Sequence, residues 1–151
     1  MLPLRLVLDT NIVVSAALKP DGLQRAVLLL AMTRPARLYV TLPIAAEYRE
    51  VLARPEFKIR KGLRRQLLQV IQNRAYRVSP SQTPDVTPDP DDNIFIACAD
   101  AARADYLVTG NVRHFPRFWK QTKIITAREL LTLAAPHLIR TPPTGNGGER
   151  S

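Results

Sequence analysis

The stretch LRLVLDTNIVVSA, residues 4–16, joins an apolar segment to three consecutive polar residues and then to a second apolar segment. Its first part, residues 4–8, has the length and branched-residue content of a buried strand. Residues 11–18 are predicted to form a short helix. Asp9 therefore stands at the end of the predicted first strand, where a charged side chain leaving a hydrophobic core needs an explanation.

Strand-like and helix-like segments alternate along the rest of the chain. Further strands are predicted at residues 37–41, 76–79, 105–110 and 123–126. Helices are predicted at residues 21–32 with Asp21 as the cap, and at 42–54, 61–75, 92–104 and 127–135. This order predicts a single α/β domain, residues 1–138, in which helices cover a parallel sheet. The Pro- and Gly-rich residues 139–151 are predicted to form a disordered tail.

The composition is strongly basic, with 22 Lys and Arg residues against 13 Asp and Glu residues and a formal net charge of +9. Such a surface favours polyanions, above all nucleic acid, although a basic composition alone does not require binding. No apolar run approaches the roughly 18 residues of a membrane span, and no secretory signal is recognisable. The single cysteine, Cys98, excludes an internal disulfide framework. We therefore expect a cytoplasmic protein without a membrane partner.

Several polar side chains follow predicted strands or begin predicted helices. Asp9 ends the first strand, Asn111 follows a later strand, and Glu47 lies about one turn into the helix after the second strand. Asp91 and Asp92 stand where a Pro-rich connection enters a helix. Because ligands of parallel α/β sheets bind outside the carboxyl ends of the strands, these side chains can converge on one edge of the sheet.

Carboxylates gathered at one sheet edge would repel one another. Two unit charges about 4 Å apart repel by about 4 kcal/mol at an effective dielectric constant near 20. A divalent cation would relieve this repulsion, and oxygen ligands without a Cys/His cluster favour Mg²⁺ or Mn²⁺ over zinc. Such an ion can lower the pKa of a bound water and shield phosphate oxygens. The predicted chemistry is phosphodiester hydrolysis.

Each of these residues also has an ordinary structural interpretation. The aspartates at helix starts can be N-caps, and Glu47 can be a solvated helix residue. Asn111 after a glycine can be a turn residue. Thr10 and Asn11 are candidates for the N-cap of the first helix, and Thr10 and Thr109 can be either backbone caps or active-site hydroxyls. The joint placement of the set favours a site over these separate interpretations.

Four segments in this order and spacing resemble the PIN-domain proteins, and among them the VapC-like toxin components of bacterial toxin–antitoxin systems. They are LVLDTNIVVSA, EYREVLARPEF, DPDDNIFIACADAARADYLVTGN and RHFP. The resemblance covers roughly residues 4–135. It implies a three-layer α/β/α sandwich around a central, mainly parallel sheet, and ribonuclease activity that depends on Mg²⁺ or Mn²⁺. It also implies homodimers and a small antitoxin protein that covers the active site.

The resemblance carries the family's acidic positions onto this chain. The matching residues are Asp9, Glu47, Asp92 and Asn111. Thr10 and Asn11 belong to the first motif, and Asp91 or Asn93 are alternative registers for the third position. The fourth position is often aspartate, so Asn111 is a departure that adds no negative charge. A second metal ion would then bind weakly, and catalysis would be slow or lost.

Two hypotheses of different classes follow from this departure. The first is a metal-dependent endoribonuclease acting as a toxin. The second is a catalytically silent PIN-fold module that binds RNA or a partner protein. A weaker third hypothesis is a response-regulator-like domain, which would need a central phosphoacceptor aspartate and a later lysine after a strand.

Two basic segments are candidates for RNA contact. RPEFKIRKGLRRQ, residues 54–66, contains Arg64 and Arg65 and can be either a solvated face or an arm that contacts phosphates. NVRHFPRFWKQ, residues 111–121, interleaves cations with aromatic rings, which can stack on RNA bases or can be core or dimer contacts. Its candidate RNA-binding residues are Arg113, His114, Arg117 and Lys120.

Overall fold

The computed structural model describes residues 3–139, so the predicted tail lies outside the described residues except for its first residue. The strands are β1 (Arg5–Leu8), β2 (Arg37–Val40), β3 (Tyr76–Arg77), β4 (Tyr106–Val108), β5 (Phe118–Trp119) and β6 (Thr122–Ile125). The helices are α1 (Thr10–Leu18), α2 (Leu23–Ala31), α3 (Leu42–Leu52), α4 (Lys61–Arg74), α5 (Pro90–Ala102) and α6 (Ala127–Ala134). Between residues 3 and 139, no helix is long and apolar enough to cross a membrane.

The six strands form one sheet in the order β3-β2-β1-β4-β6-β5. β1 is parallel to both of its neighbours, with Leu6 opposite Leu38 of β2 and opposite Tyr106 of β4. β5 runs antiparallel to β6 at one edge. The predicted fold class is confirmed: this is an α/β domain with a mainly parallel central sheet flanked by helices.

The core is built around β1. Leu6, Val7 and Leu8 are all fully buried, as expected for a central parallel strand that helices cover on both faces. The buried Tyr48 hydroxyl of α3 donates to the Leu8 carbonyl at 2.6 Å. This bond docks α3 against the carboxyl end of β1, which brings the α3 residues next to Asp9.

Two predicted helix starts are wrong. The N-cap of α2 is Gly22 rather than Asp21, and no side chain caps this helix. Helix α5 begins at Pro90, two residues before the predicted start, because proline fits the first helical position, where no N–H is needed. Asp89 is its N-cap and accepts a hydrogen bond from the Asp91 N–H at 2.9 Å. The sequence does not predict β5, because two residues are too few to show a period.

Helix α4 lies mostly at the surface of the domain. Ile71 is its one buried residue, and Leu63 is 37% exposed. The first turn of α4 therefore lies at the surface rather than in the core.

Candidate active site

Asp9 and Thr109 meet at the carboxyl edge of the sheet. Because β1 and β4 are parallel neighbours, the Asp9 N–H donates to the Val108 carbonyl at 2.9 Å. Thr109 is the next residue after β4, is fully buried, and donates its hydroxyl to Asp9 Oδ2 at 2.7 Å. The strand ends thus bring together two polar side chains that are a hundred residues apart in sequence.

Asp9 is also the N-cap of α1, as the capping interpretation of this aspartate predicts, and the helix begins at Thr10, one residue before the predicted start. Asp9 Oδ1 accepts the Thr10 N–H at 2.7 Å, and Oδ2 accepts a hydrogen bond from Asn11 Nδ2 at 3.2 Å. Asp9 is 6% exposed, and burial raises its pKa although the bonds from Thr109 and Thr10 act in the opposite direction. The capping interpretation and the site interpretation are therefore compatible, because these bonds fix the carboxylate at the edge of the cleft.

Glu47 reaches the same place from α3. The Thr10 hydroxyl donates to Glu47 Oε2, which links α3 to the first residue of α1. Glu47 is half-buried, and its pKa is raised first by burial and then by the negative charges of Asp9 and Asp91. The charge effects indicate that these carboxylates are close enough to repel one another.

Asp92 lies in the first turn of α5. Burial, followed by the negative charges of Asp9 and Asp89, raises its pKa to about 6. Asp92 Oδ2 is buried and has no hydrogen-bond partner among residues 3–139. His114 Nδ1 stands 3.7 Å from this oxygen, which is too far for a hydrogen bond. A buried carboxylate oxygen without a donor is a position that a cation would satisfy.

The two neighbours of Asp92 have different environments. Asn93 is 5% exposed, and its Oδ1 accepts from the Thr87 N–H at 2.9 Å, the Thr87 hydroxyl at 2.9 Å and the Val86 N–H at 3.2 Å. Asn93 therefore holds the segment before α5, and its oxygen is already fully used. Asp91 is exposed on the wall of the cleft. Of the three registers, the geometry favours Asp92 as the candidate ligand.

These residues line a cleft of about 600 Å³ formed by α1, α3, α5 and the segment after β4. The sequence-predicted residues in its lining are Asp9, Thr10, Asn11, Glu47, Asp91, Asp92, Asn111 and His114. Thr109 is bonded to Asp9 but does not form part of the lining. These eight residues, which come from segments far apart in the sequence, thus line the same cavity.

Asn111 stands at the rim of this cleft. Its side chain is exposed, and its N–H donates to Thr109 Oγ1 at 2.9 Å. The neighbouring Gly110 N–H donates to Asn11 Oδ1 at 3.0 Å, which ties the segment after β4 to α1. The position of Asn111 is therefore well defined, but it contributes an amide where its neighbours contribute charges.

The candidate RNA-binding residues after β4 are only partly in the cleft. Among them, His114 borders the cleft, whereas Arg113 and Arg117 are exposed and are not in its lining. Lys120 Nζ lies 2.9 Å from Asp100 Oδ1 and 5.6 Å from the centre of the Trp119 ring. Lys120 thus pairs with a carboxylate that is not in the cleft lining, and Lys120 itself does not line the cleft.

Sequence reasoning missed two carboxylates of the lining, those of Asp89 and Glu50. The Asp89-Pro90 pair is a recognisable helix start, which could have identified Asp89. Glu50 lies nearly one helical turn after Glu47 and so faces the same side of α3. Arg54 also lines the cleft. It belongs to the predicted basic segment, but no sequence pattern indicated that it turns towards the acids.

The donor set fits a hard divalent cation. Six carboxylates line the cleft, those of Asp9, Glu47, Glu50, Asp89, Asp91 and Asp92. With the amide of Asn111 they offer oxygen ligands, which Mg²⁺ and Mn²⁺ prefer. In the described part of the chain, no three Asp, Glu, His or Cys side chains already stand in a metal-holding arrangement. Glu47 Oε2 instead accepts the hydrogen bond from the Thr10 hydroxyl.

Comparison with known proteins identifies the family and the fold of the chain. Residues 5–113 match the model of the PIN domain, and the chain belongs to this family, whose members are generally nucleases. The structure is similar to a chain in the crystal structure of VapBC2 from Rickettsia felis bound to a DNA fragment from their promoter. The TM-score is 0.55 at 16% identity, with 82% of this chain and 98% of that chain covered. No curated protein matches the sequence significantly.

Proposed function

We propose that this PIN-domain protein is a metal-dependent endoribonuclease that hydrolyses RNA phosphodiester bonds. The observation that carries the proposal is the meeting of Asp9, Glu47 and Asp92 in one cleft, where burial and mutual repulsion raise the pKa values of Glu47 and Asp92 and burial raises that of Asp9. Carboxylates in this arrangement favour a bound cation, and Mg²⁺ or Mn²⁺ suits a set of oxygen ligands. The net charge of +9 suits a polyanionic substrate.

Asp9, Glu47 and Asp92 would hold the ion, with Asn111 at the fourth position and Asp91 beside them. When bound, the ion supplies an activated water and shields the phosphate oxygens of the scissile bond. The protein's own contribution is orientation: Thr109 and the Thr10 N–H fix both oxygens of Asp9. Such fixed ligands reduce the reorganisation that the reaction requires.

RNA would be contacted outside the acidic residues. Arg54 and His114 border the cleft, and the exposed Arg113 and Arg117 lie on the same segment as His114. These side chains can neutralise phosphates next to the one being cleaved. Lys120 is a weaker candidate than the sequence suggested, because Asp100 already pairs with it.

The proposed biological role is that of a toxin in a toxin–antitoxin pair acting on cytoplasmic RNA. It is supported by the likeness in fold to a chain of the VapBC2 structure. We propose a small antitoxin protein as partner and a homodimer as the form of the free protein. Light scattering on the purified protein, alone and after co-expression with the product of an adjacent small gene, would test both: a monomer that binds no such product contradicts them.

A catalytically silent module that binds RNA or protein is the second candidate. The specific observation in its favour is Asn111, which places an amide at the rim where a fourth carboxylate would strengthen metal binding. Under this alternative the cleft would bind without cutting.

The test is cleavage of a transfer-RNA pool with Mg²⁺, with Mn²⁺ and with EDTA. We expect cleavage by the wild type only when metal is present. Asp9→Asn, which can still cap α1, is expected to abolish it. The matched control is Asp85→Asn, which removes an exposed carboxylate outside the cleft lining and is expected to cut normally. Absence of cutting by the folded wild type with either metal would favour the silent module.

A further inference from the structure

A second groove, of about 520 Å³, lies between α3 and α4. Its charged lining residues are Arg49, Lys61, Arg64 and Arg65, with Gln69 and Gln72 beside them. Among the described lining residues there is no carboxylate. Arg49 lies on a different face of α3 from Glu47 and Glu50, because successive helical residues are about 100° apart. Helix α3 therefore separates a basic groove from the acidic cleft.

The cations of this groove have no ion-pair partner in the described part of the chain. None of the four lies within 4 Å of a carboxylate among residues 3–139, where the one Lys or Arg that does is Lys120, beside Asp100. Arg64 Nε is buried and has no acceptor in the same part of the chain. A buried charged donor without an acceptor has lost its hydrogen bonds to water, and no hydrogen bond within the protein replaces them. An acceptor from another molecule would relieve this cost.

The placement of the charges on α4 points in the same direction. The N-cap residue of α4 is Arg60, and its side chain makes no capping hydrogen bond. The helix begins with Lys61, and its first turn contains no acidic residue. The N-terminus of a helix carries a positive partial charge, so cations there are unfavourable by themselves. Arg64 adds a further cation one turn later. A bound anion would be stabilised by this concentration of positive charge.

An acidic cleft that acts on RNA would benefit from a basic surface nearby. Carboxylates at the reaction centre repel the phosphates of a substrate, so the energy of RNA binding has to come from cations elsewhere. Helix α3 separates the groove from the cleft. A helix with its side chains is roughly 10–12 Å in diameter. Arg54, in the cleft lining, stands on the chain segment that joins α3 to α4.

We propose that the α3–α4 groove binds the sugar-phosphate backbone of single-stranded RNA and delivers the strand to the acidic cleft. This inference rests on the proposed nuclease function and adds the place where the substrate is held. Arginine and glutamine side chains are suited to phosphate and sugar oxygens, and they position RNA without reading its sequence. An acidic peptide is the competing occupant, which a poly-glutamate probe distinguishes from RNA.

The test is binding of a fluorescein-labelled oligouridylate, measured by anisotropy in EDTA at several salt concentrations. The variant is Arg49→Gln/Arg65→Gln, which changes two exposed side chains and leaves the partly buried Arg64 in place. The control is Arg34→Gln/Arg128→Gln, which removes the same charge from exposed positions outside the groove. Circular dichroism verifies that all proteins are folded.

We expect the groove variant to bind the oligouridylate about tenfold or more weakly, and the control to bind like the wild type. The dependence of log K on log salt is expected to become less steep by about 0.7 for each phosphate that no longer meets a cation. Equal weakening in both variants, or no weakening in either, would overturn the proposal. Tighter groove-dependent binding of poly-glutamate than of the oligouridylate would assign the groove to an acidic protein and overturn the RNA assignment.

The binding measurement needs no metal and no cleavage, so its result can be separated from the result of the nuclease test. A wild type that binds the oligouridylate through the groove but never cuts RNA would contradict the nuclease function alone. A wild type that cuts RNA, together with a groove variant that binds normally, would contradict the groove alone.

Discussion

The two faces of α3 carry opposite charge and differ in how their side chains are held. On the cleft side, Glu47 is bonded to Thr10, and Asp9 is held by Thr109 and by the Thr10 N–H. On the groove side, Arg49 and its neighbours have no ion-pair partner within the described chain. Both faces belong to the same helix, so the contrast arises from the side chains and their partners rather than from the backbone that carries them.

The contrast indicates a division of labour. Under the proposed function, chemistry at a phosphate requires ligands in a fixed geometry, and Asp9 is held in this way because both of its oxygens accept hydrogen bonds. Binding of a flexible polymer would require charge but little fixed geometry, which suits cations that have no ion-pair partner in the described chain. We therefore expect the two faces to control different kinetic constants.

The greatest loss of activity is expected from a change on the cleft face. Asp92→Asn removes a candidate metal ligand and is expected to lower kcat by more than the roughly 10–100-fold typical of removing an outer-sphere partner. Binding of the oligouridylate in EDTA is expected to be unchanged or slightly tighter, because the substitution removes a negative charge.

The Arg49→Gln/Arg65→Gln variant is expected to raise KM for RNA with kcat nearly unchanged. Steady-state cleavage of one labelled RNA measures both constants, and a groove variant that lowers kcat without raising KM would remove the distinction.

Asn111→Asp adds charge to the cleft face. A fourth carboxylate at the rim is expected to tighten Mn²⁺ binding about tenfold, equivalent to about 1.4 kcal/mol. Cleavage at limiting Mn²⁺ is then expected to rise, whereas RNA binding in EDTA is expected to weaken slightly. The matched control is Asn73→Asp, which adds a charge at an exposed position on α4. If both variants bind Mn²⁺ like the wild type, Asn111 is not a metal-site position.

The raised pKa of Asp92 predicts a pH dependence of the metal-free protein. The folded state holds this proton more tightly than the unfolded chain, because the pKa is about 6 instead of the ordinary 3.8. The resulting stabilisation is complete below pH 3.8 and is lost as the pH rises through about 6. In EDTA, Asp92→Asn is expected to gain Tm relative to the wild type as the pH rises from about 4 to about 6 and to keep that gain at higher pH, on the order of 2–4 °C for each kcal/mol.

The same Tm series contains its own controls. Asp85→Asn changes an exposed carboxylate and is expected to track the wild type at every pH. Added Mn²⁺ is expected to stabilise the wild type most above about pH 6, where Asp92 is ionised. A difference between Asp92→Asn and wild type that does not change with pH would mean that Asp92 does not titrate in this range.

The smallest effect is expected from a substitution in the first turn of α4, which changes stability alone. A Cβ at Gly62 would meet nothing within 4 Å, and the residue needs no left-handed conformation. Gly62→Ala is therefore expected to stabilise the protein by up to about 0.5–1 kcal/mol through helix propensity alone. Urea unfolding measures this change. Cleavage and RNA binding are expected to stay the same, and weaker binding would indicate that RNA passes directly over this turn.

The cleft face was predictable from sequence because its residues are tied to strand ends. Asp9 directly follows β1, and Thr109 and Asn111 come just after β4. The parallel sheet therefore brings these residues to one edge, regardless of the conformation of the loops. Glu47 was placed less directly, through the helix that follows β2, and the family resemblance added the match to an acidic position. Asn93 and Asp92 could not be told apart, since both lie near the start of α5 and only the contacts of Thr87 separate them.

The groove face was only partly predictable. The sequence draws attention to Arg64 and Arg65 as a charge run, but it does not show that Arg49 of another helix joins them. Nor does it show that Arg64 Nε is buried without an acceptor in the described chain. Contacts between helices depend on packing angles, which hydrophobic periodicity does not encode.

The carboxylates of the cleft are expected to hold a divalent cation, and calorimetric titration with Mn²⁺ in the absence of RNA measures that binding without any assumption about the substrate. At about pH 7.5, well above the pKa of Asp92, we expect saturable binding by the wild type and by Asp85→Asn. Asp9→Asn and Asp92→Asn are expected to abolish that binding. Binding that persists unchanged in both cleft variants, or no binding by the folded wild type, would contradict a metal site at this edge of the sheet.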